Sequence, residues 1–309
     1  MVVVKLVGGL ASQLHKYAVG RALAERMNTE LLLDTSSYLG DAPKEVFSLA
    51  INHFRIDARA ANSEEIAMAK GKATVALQGI WNRLGMQPSK KTEKRVQRWF
   101  GHTQHKANIT KAGTESFFEG IPADTHAYIH GEWGAGFGLF ESIRPLLLEE
   151  FQLKSPSKEA MAINTLIAKE PAATSIHVRR GDYVSNPAAA KLHGTSPIDY
   201  YRTAIDYIHQ QTTDPRLFVF SDDLVWCRQN LTSVIPDNAV FVEGFSGPED
   251  FHLLSQCKHN IIANSGFSAL SAWLNRNPQK KIVSPQQWFA NQEANNAQRS
   301  QLPTSWYYL

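Results

Sequence analysis

Ser175-Ile176-His177-Val178-Arg179-Arg180-Gly181-Asp182-Tyr183 is the stretch on which the reading of this chain turns. Ile176 and Val178 alternate with His177 and Arg179, the period of a half-buried strand, and Gly181 ends it. Two arginines and an acid therefore stand at the carboxyl end of a strand, where open α/β sheets bind ligands. Arginine presents a planar fork of donors suited to phosphate. Successive strand side chains point to opposite faces, so one arginine can reach a ligand while the other braces the loop. A solvated strand end is the plainer reading of so short a motif, and the rest of the chain has to decide between them.

The chain has 309 residues, enough for two domains. Its hydrophobic share of 43% is that of a globular protein, and a net charge of +3 does not by itself point to nucleic acid. Cys227 and Cys257 form no C-x-x-C pair, so neither a disulfide framework nor a zinc site is indicated, and both read as core residues. The first residues lack a signal-peptide layout and no run of about 18 apolar residues occurs, so the expectation is a cytoplasmic protein without a membrane span.

Val2 to Val7 reads as a buried strand broken by Gly8-Gly9, with Ser12 as helix N-cap and Leu14, Tyr17, Ala18 and Ala22 at helical spacing; Glu30 to Asp34 is a second strand. This strand–Gly loop–helix–strand unit opens a Rossmann-like domain, without the G-x-G-x-x-G or Walker fingerprints. The Gly-Gly loop either cradles a phosphate or sugar or is only a tight turn. Glu64 to Arg83 reads as helical. Pro88 to Phe100 is strongly basic (Lys90, Lys91, Lys94, Arg95, Arg98), a solvated face or a patch for an anionic surface. Tyr128 to Trp133 reads as a strand ending in a polar loop, and Phe137 to Phe151 as a helix in which Pro145 starts a new turn. Lys154 to Lys158 is the linker, dividing an N-terminal domain 1–153 from a C-terminal domain 154–309.

The second half repeats the alternation. After the Arg-Arg-Gly-Asp strand, Val184 to Gly194 reads as a polar loop. Ser196-Pro197 starts a helix, Leu217 to Phe220 is a strand, and a helix through Trp226 and a short strand Val240 to Val242 follow. Pro248-Glu249-Asp250 opens another helix, with both acids in its first turn. Ile261 to Ala263 is a strand, Asn264 to Ser268 turns into a helix, and Ile282-Val283 is the last strand. Such alternation fits a parallel sheet. Three strand ends then lie on one rim: His177/Arg179/Arg180/Asp182, Ser221/Asp222/Asp223 and Asn264/Ser265/Phe267/Ser268. Arginines beside a helix N-terminus suit a nucleotide pyrophosphate. Asp250 can accept from a guanine edge and Phe267 can contact a base; as the plainer alternative, Asp250 is a helix-start acid and Phe267 a core residue. The convergence is what favours a site.

The chain resembles the α-1,2-fucosyltransferases of bacteria and animals. His177-Val178-Arg179-Arg180-Gly181-Asp182-Tyr183-Val184 is similar to that family's H-x-R-R-G-D-Y signature, and the likeness extends to Phe218–Asp223, Leu254–Ser265 and Ala272-Trp273-Leu274. The resemblance implies an α/β, GT-B-type fold of two facing Rossmann-like domains with parallel sheets. It implies GDP-fucose as donor, held by the C-terminal domain, and a galactose-terminated oligosaccharide or lipid-linked glycan of the O-antigen kind as acceptor, held largely by the N-terminal one. Inversion at the fucose anomeric carbon without a bound metal or other cofactor follows from it too. It implies β-phosphate contact for Arg179, guanine contact for His177 and Asp250, and phosphate contact for Ser268 or Ser265; Arg180, Asp222, Asn264 and Phe267, from the same strand ends, are the remaining donor-side candidates. The loop Gly8, Gly9, Ser12, Gln13 lies on the acceptor side, and peripheral contact with the inner face of a membrane would bring a lipid-linked acceptor within reach.

The chain departs from the family where it usually reads G-G-L-G-N-Q-[LM]-F-Q-Y-A: Ala11-Ser12 replace Gly-Asn and His15-Lys16 replace Phe-Gln. The family's S-W-W is Ser268-Ala269-Leu270, and a Gln after an aromatic is Gly134. These departures fall mainly on acceptor identity and linkage. No D-x-D metal motif occurs in the sequence, so arginine and backbone dipoles must offset the diphosphate charge. A base would take the acceptor proton as the fucose carbon gains oxocarbenium character; Asp182, Glu132 and His15 are the candidates. Two other classes compete. Arg180-Gly181-Asp182 is also the tripeptide of integrin-binding ligands, which needs an exposed, secreted loop, and this one follows a buried strand. A non-catalytic nucleotide-sugar-binding module would bind GDP-fucose without acceptor-dependent GDP release.

Overall fold

The computed structural model describes residues 1–39, 47–71, 83, 85, 89, 118, 121, 126–131 and 136–309, and the backbone of 102–106. By its internal contacts the chain forms two compact units, Met1–Asn52 with Ile56–Glu150, and His53–Arg55 with Phe151–Leu309.

The first unit begins with β1 (Val2–Lys5), whose valines are fully buried, and α1 (Leu10–Arg26). β2 (Leu31–Asp34), β3 (Arg59–Ala60), α2 (Ser63–Lys70), β4 (His102–Lys106), β5 (His126–His130) and α3 (Arg144–Glu150) follow. The strands form one parallel sheet in the order β3-β2-β1-β5-β4. Gly9 is the N-cap of α1 and Ser12 already lies inside its first turn, against the expectation of a Ser12 cap; the Gly-Gly break lets the helix start three residues earlier. α2 carries a capping box between Asn62 and Glu65 and stops at Gly71, whose φ is +82°; residues 72–82 of the stretch read as helical lie outside the described residues. Two 3₁₀ turns precede α3, and Pro145 sits at its start, where the missing N–H costs nothing.

The second unit contains α4 (Lys158–Lys169), β6 (Thr174–Val178), α5 (Gly181–Ser185), α6 (Pro187–His193), α7 (Ile198–Gln211), β7 (Leu217–Ser221) and α8 (Leu224–Asn230). After them come β8 (Val240–Phe241), α9 (Gly247–Gln256), β9 (His259–Ile261), α10 (Gly266–Leu274), β10 (Ile282–Ser284), α11 (Gln292–Arg299) and β11 (Tyr307–Tyr308). The sheet is parallel throughout, in the order β11-β10-β9-β6-β7-β8. Counted from β6 this is the 3-2-1-4-5-6 order of a doubly wound sheet, and the chain reverses direction between β6 and β9. The sheet lies between two cores: Ile176 and Val178 of β6 and Leu217 and Val219 of β7 pack with α7 residues Tyr201, Ala204 and Ile208, while the alternating Phe218 and Phe220 of β7 pack with α4 and α9 on the other face. The residues 53–55 join this unit through Phe54, which bridges Leu153 and lies edge-on to Phe151 and Phe251.

Three local expectations change. The stretch 184–194 is not a loop but most of two short helices, because Asn186 accepts from the amides of Ala188 and Ala189 and Pro187 stands at the first helical position. α7 starts at Ile198, since Pro197 keeps an extended ψ of 160°. A last strand, β11, joins the edge of the sheet beyond β10.

Candidate active site

The carboxyl ends of β6 and β9 flank the reversal point, and β7 lies beside them. His177, the last inward residue of β6 on the α9/α10 face, is 6% exposed and stacks on Phe267 at 5.5 Å. Burial, ahead of the opposing pull of Asp222, lowers its pKa to about 4, so it is a neutral imidazole at neutral pH, and its Nδ1 is buried without a hydrogen-bond partner. Phe267 in turn packs edge-on against Phe251 of α9.

The two arginines part as strand alternation requires. Arg180 lies on the α7/α8 face, 4.0 Å above the ring of Trp226, with its Nε 3.0 Å from Asp223 Oδ2. Asp223 also caps α8 through the amide of Trp226 and is itself held low, first by that hydrogen bond and then by Arg180. Arg180 thus braces the loop. Arg179 follows the parity of His177; its Nη1 donates to Asp222 Oδ2 at 2.7 Å, its Nη2 donates to Asp182 Oδ1, and its guanidinium lies 5.4 Å from the ring of Tyr183. Asp222 uses both oxygens, since Oδ1 accepts the Arg180 amide at 2.8 Å. Gly181 makes this possible: a Cβ there would lie 2.6 Å from Asp222 Oδ2.

The β9 end supplies the other wall. Asn264 is buried and its Nδ2 donates towards the carbonyls of His193, Gly194 and Trp288. It is therefore a fastener of the surrounding loops. Tyr183 donates to the carbonyl of Asn264 and stacks face to face on His193 at 4.5 Å, which packs on Phe289. Ser265 caps α10 through the Phe267 amide. Ser268 is fully buried, and its hydroxyl points back to the carbonyls of Ala263 and Ser265; it leaves only its backbone N–H at the helix start. Asp250, in the first turn of α9, carries a buried Oδ1 without a partner, and burial followed by repulsion from Glu249 raises its pKa to about 7. His252 in the same helix has a lowered pKa through burial.

In the first unit the opening loop is a built structure. Gly8 holds φ +81°, and its carbonyl accepts from Gln13 Nε2 and from the Tyr38 hydroxyl. Gln13 is completely buried; it also donates to the Ser48 carbonyl and accepts from the amides of Ala50 and Ile51, so all four of its hydrogen-bonding positions are used. Gly9 lies beneath the half-exposed ring of Phe47. His15 is buried edge-on to Phe140 at 5.2 Å, and desolvation lowers its pKa to about 3; so weak a base is poorly suited to take a hydroxyl proton. Glu132, Gly134 and the stretch from Lys90 to Arg98 lie outside the described residues.

Nothing in the sequence marks the Tyr183–His193–Phe289 stack, Trp226 under Arg180 or His252. Only the glycine between Arg180 and Asp182 hinted at a close approach, and its partner is 41 residues away. Among the described residues no group of three or more His, Cys, Asp or Glu side chains is arranged to hold a metal, and no helix is long and apolar enough to cross a membrane.

The profile of glycosyl transferase family 11 matches residues 90–309. The chain is 31% identical over 296 residues to the O-antigen biosynthesis glycosyltransferase WbnK of Escherichia coli, covering 92% of this chain and 94% of that one. It is 29% identical over 300 residues to an alpha-1,2-colitosyltransferase of Escherichia coli, covering 96% and 95%. Among solved structures, the fucosyltransferase NodZ from Bradyrhizobium superposes with a TM-score of 0.51 at 15% identity, over 88% of this chain and 92% of that one; NodZ has also been co-crystallized with GDP.

Proposed function

The chain belongs to glycosyl transferase family 11, and from that premise we propose that it moves L-fucose from GDP-fucose to a galactose hydroxyl of an oligosaccharide or lipid-linked glycan, with inversion and in α-1,2 linkage. One observation carries the reading: at the reversal point of the doubly wound sheet the buried neutral His177, two residues before Arg179 on the same face of β6, stacks on Phe267 of α10, which packs on Phe251 of α9, and its neighbour Asp250 keeps a buried Oδ1 without a partner. Guanine offers N1–H and N2–H donors to Asp250 and an acceptor edge to His177, with Phe267 against the base. The diphosphate takes Arg179 and the free amides at the start of α10. As the bond from fucose C1 to the β-phosphate breaks, negative charge grows on the leaving GDP, and the guanidinium and helix dipole stabilise it. The acceptor hydroxyl attacks C1 from the opposite face and gives up its proton to a base. Asp182 and Glu132 remain candidates for that base, and the low basicity of His15 counts against it.

The reaction needs no divalent metal on this reading, because the sequence has no D-x-D and the leaving charge has Arg179 beside it. Acceptor recognition falls to the loop of Gly8, Gly9 and Ser12, held in shape by Gln13. The work is done in the cytoplasm, peripherally at the inner face of the membrane, with the basic stretch 90–98 as the docking element. The test is an acceptor screen with GDP-fucose, scored by acceptor-dependent GDP release and linkage analysis of the product. Binding without turnover on every galactose-terminated acceptor would leave a nucleotide-sugar-binding module. The likeness to a colitosyltransferase favours one second reading, a donor whose sugar lacks the 3-hydroxyl of fucose. GDP-colitose run beside GDP-fucose separates the two by kcat/KM.

A further inference from the structure

Arg179 is the phosphate clamp of the reading above, yet both of its terminal nitrogens are already engaged by carboxylates. The two partners differ. Asp222 is tied twice, to Arg179 and to the Arg180 amide, it stands hard against the Cα of Gly181, and its side chain is 26% exposed. Asp182 is 44% exposed and holds Arg179 through a local i,i+3 contact from the first turn of a five-residue helix. Around the two arginines stand three carboxylates, Asp182, Asp222 and Asp223, one acid more than there are guanidinium groups in the cluster. A guanidinium has five N–H donors and these two bonds leave others open, but a diphosphate that takes the Nη1–Nη2 pair of Arg179 together has to displace one of the two carboxylates.

We propose that Asp182 competes with the donor diphosphate for Arg179 and is exchanged for it, while Asp222 is a positioning residue that stays and keeps the guanidinium aimed. This rests on the reading of Arg179 as the diphosphate ligand. General electrostatics alone predicts that neutralising either acid tightens binding of an anion. The exchange predicts opposite signs. Removing the competitor frees Arg179, whereas removing the anchor lets it swing away.

The experiment is calorimetric titration of the whole chain with GDP and, separately, with guanosine, for wild type and for D182N, D222N, G181A and R179A, with thermal unfolding of each. D182N should bind GDP about two- to fivefold more tightly, the range of a partly exposed ion pair. D222N should bind GDP at least about tenfold more weakly, the loss of a charge-assisted hydrogen bond. G181A leaves the charge in place but pushes on Asp222, and it should weaken GDP in the same direction as D222N; it carries the test if D222N does not fold. Guanosine affinity should be unchanged in all of them, which a general loosening of the site would not allow. Tighter GDP binding by D222N or G181A, or weaker or unchanged binding by D182N, overturns the proposal. Unchanged GDP affinity in R179A instead removes the diphosphate-clamp reading on which it rests.

Discussion

If Asp250 receives the guanine edge, nucleobase binding must release a proton near neutrality. Its carboxyl is raised from an ordinary value of 3.8 to about 7, first by burial and then by Glu249. A shift of that size corresponds to about 4 kcal/mol at most. The sign for folding is set by the raised value. The charged form carries the whole cost above pH 7, and the fold gains stability as pH falls from there towards 3.8. Binding runs the other way, because two guanine N–H donors favour the carboxylate and return its pKa towards normal. Below pH 7 the ligand must therefore first strip a proton, and affinity should fall about tenfold per pH unit, approaching a plateau above pH 8. Guanosine is the ligand to use, since GDP has a phosphate that titrates in the same range. His177, held near 4, contributes nothing between pH 6 and 8. Calorimetric titration in buffers of different ionisation enthalpy would give both the affinity and the proton count. The expected result is about a tenfold tighter dissociation constant at pH 8 than at pH 6, with release of nearly one proton at pH 6. Asp250→Asn should bind weakly at every pH, because its amide would set a donor against a donor. A flat profile for wild type, or an Asp250→Asn protein with wild-type affinity, would refute the assignment.

The two arginines should separate in kinetics. Arg179→Ala should lose about ten- to 150-fold in kcat/KM, in kcat as well as KM, and Arg179→Lys should stay impaired for want of the planar fork; a folded Arg179→Ala enzyme near wild-type kcat/KM would contradict this. Arg180→Ala, which loses the Trp226 stack and the Asp223 pair, should show chiefly a lower unfolding temperature, and an unchanged melting curve with abolished turnover would reverse the two roles. Activity should survive excess chelator; loss restored by Mg²⁺ or Mn²⁺ would end the metal-free reading. Reversing several charges between Lys90 and Arg98 should weaken sedimentation with anionic vesicles, most at low salt, at about 1 kcal/mol per residue near the surface, and equal binding by wild type and variant would dismiss that stretch as a membrane contact.

Much of the second unit was readable because its signals are local. Ile176 and Val178 announce a strand by alternation, Ser265 stands before a helix start, and the repeated strand–helix alternation announces a parallel sheet. The helices after Asp182 were not readable as helices, because their residues are largely exposed and carry no apolar stripe; Asn186 and Pro187 alone define the second of them. The family resemblance put a phosphate contact on Ser268, but helical rotation turns its hydroxyl towards the carbonyls of Ala263 and Ser265. Gln13 looked like a loop residue facing a sugar, and its burial makes it the latch between residues 8 and 48–51.

By itself the sequence determined the fold class, the family and the residue types gathered at the strand ends, since periodicity, caps and the His177–Tyr183 motif are properties of neighbouring residues. Only the tertiary structure decided which of those residues work together. The pairing of Arg179 with Asp222, the glycine beneath that carboxylate, Trp226 under Arg180 and the desolvation of His177 and Asp250 all join positions tens of residues apart. Their distances and their burial exist only once β6, β7 and β9 lie side by side, and both the charge on each group and the direction it faces follow from that packing.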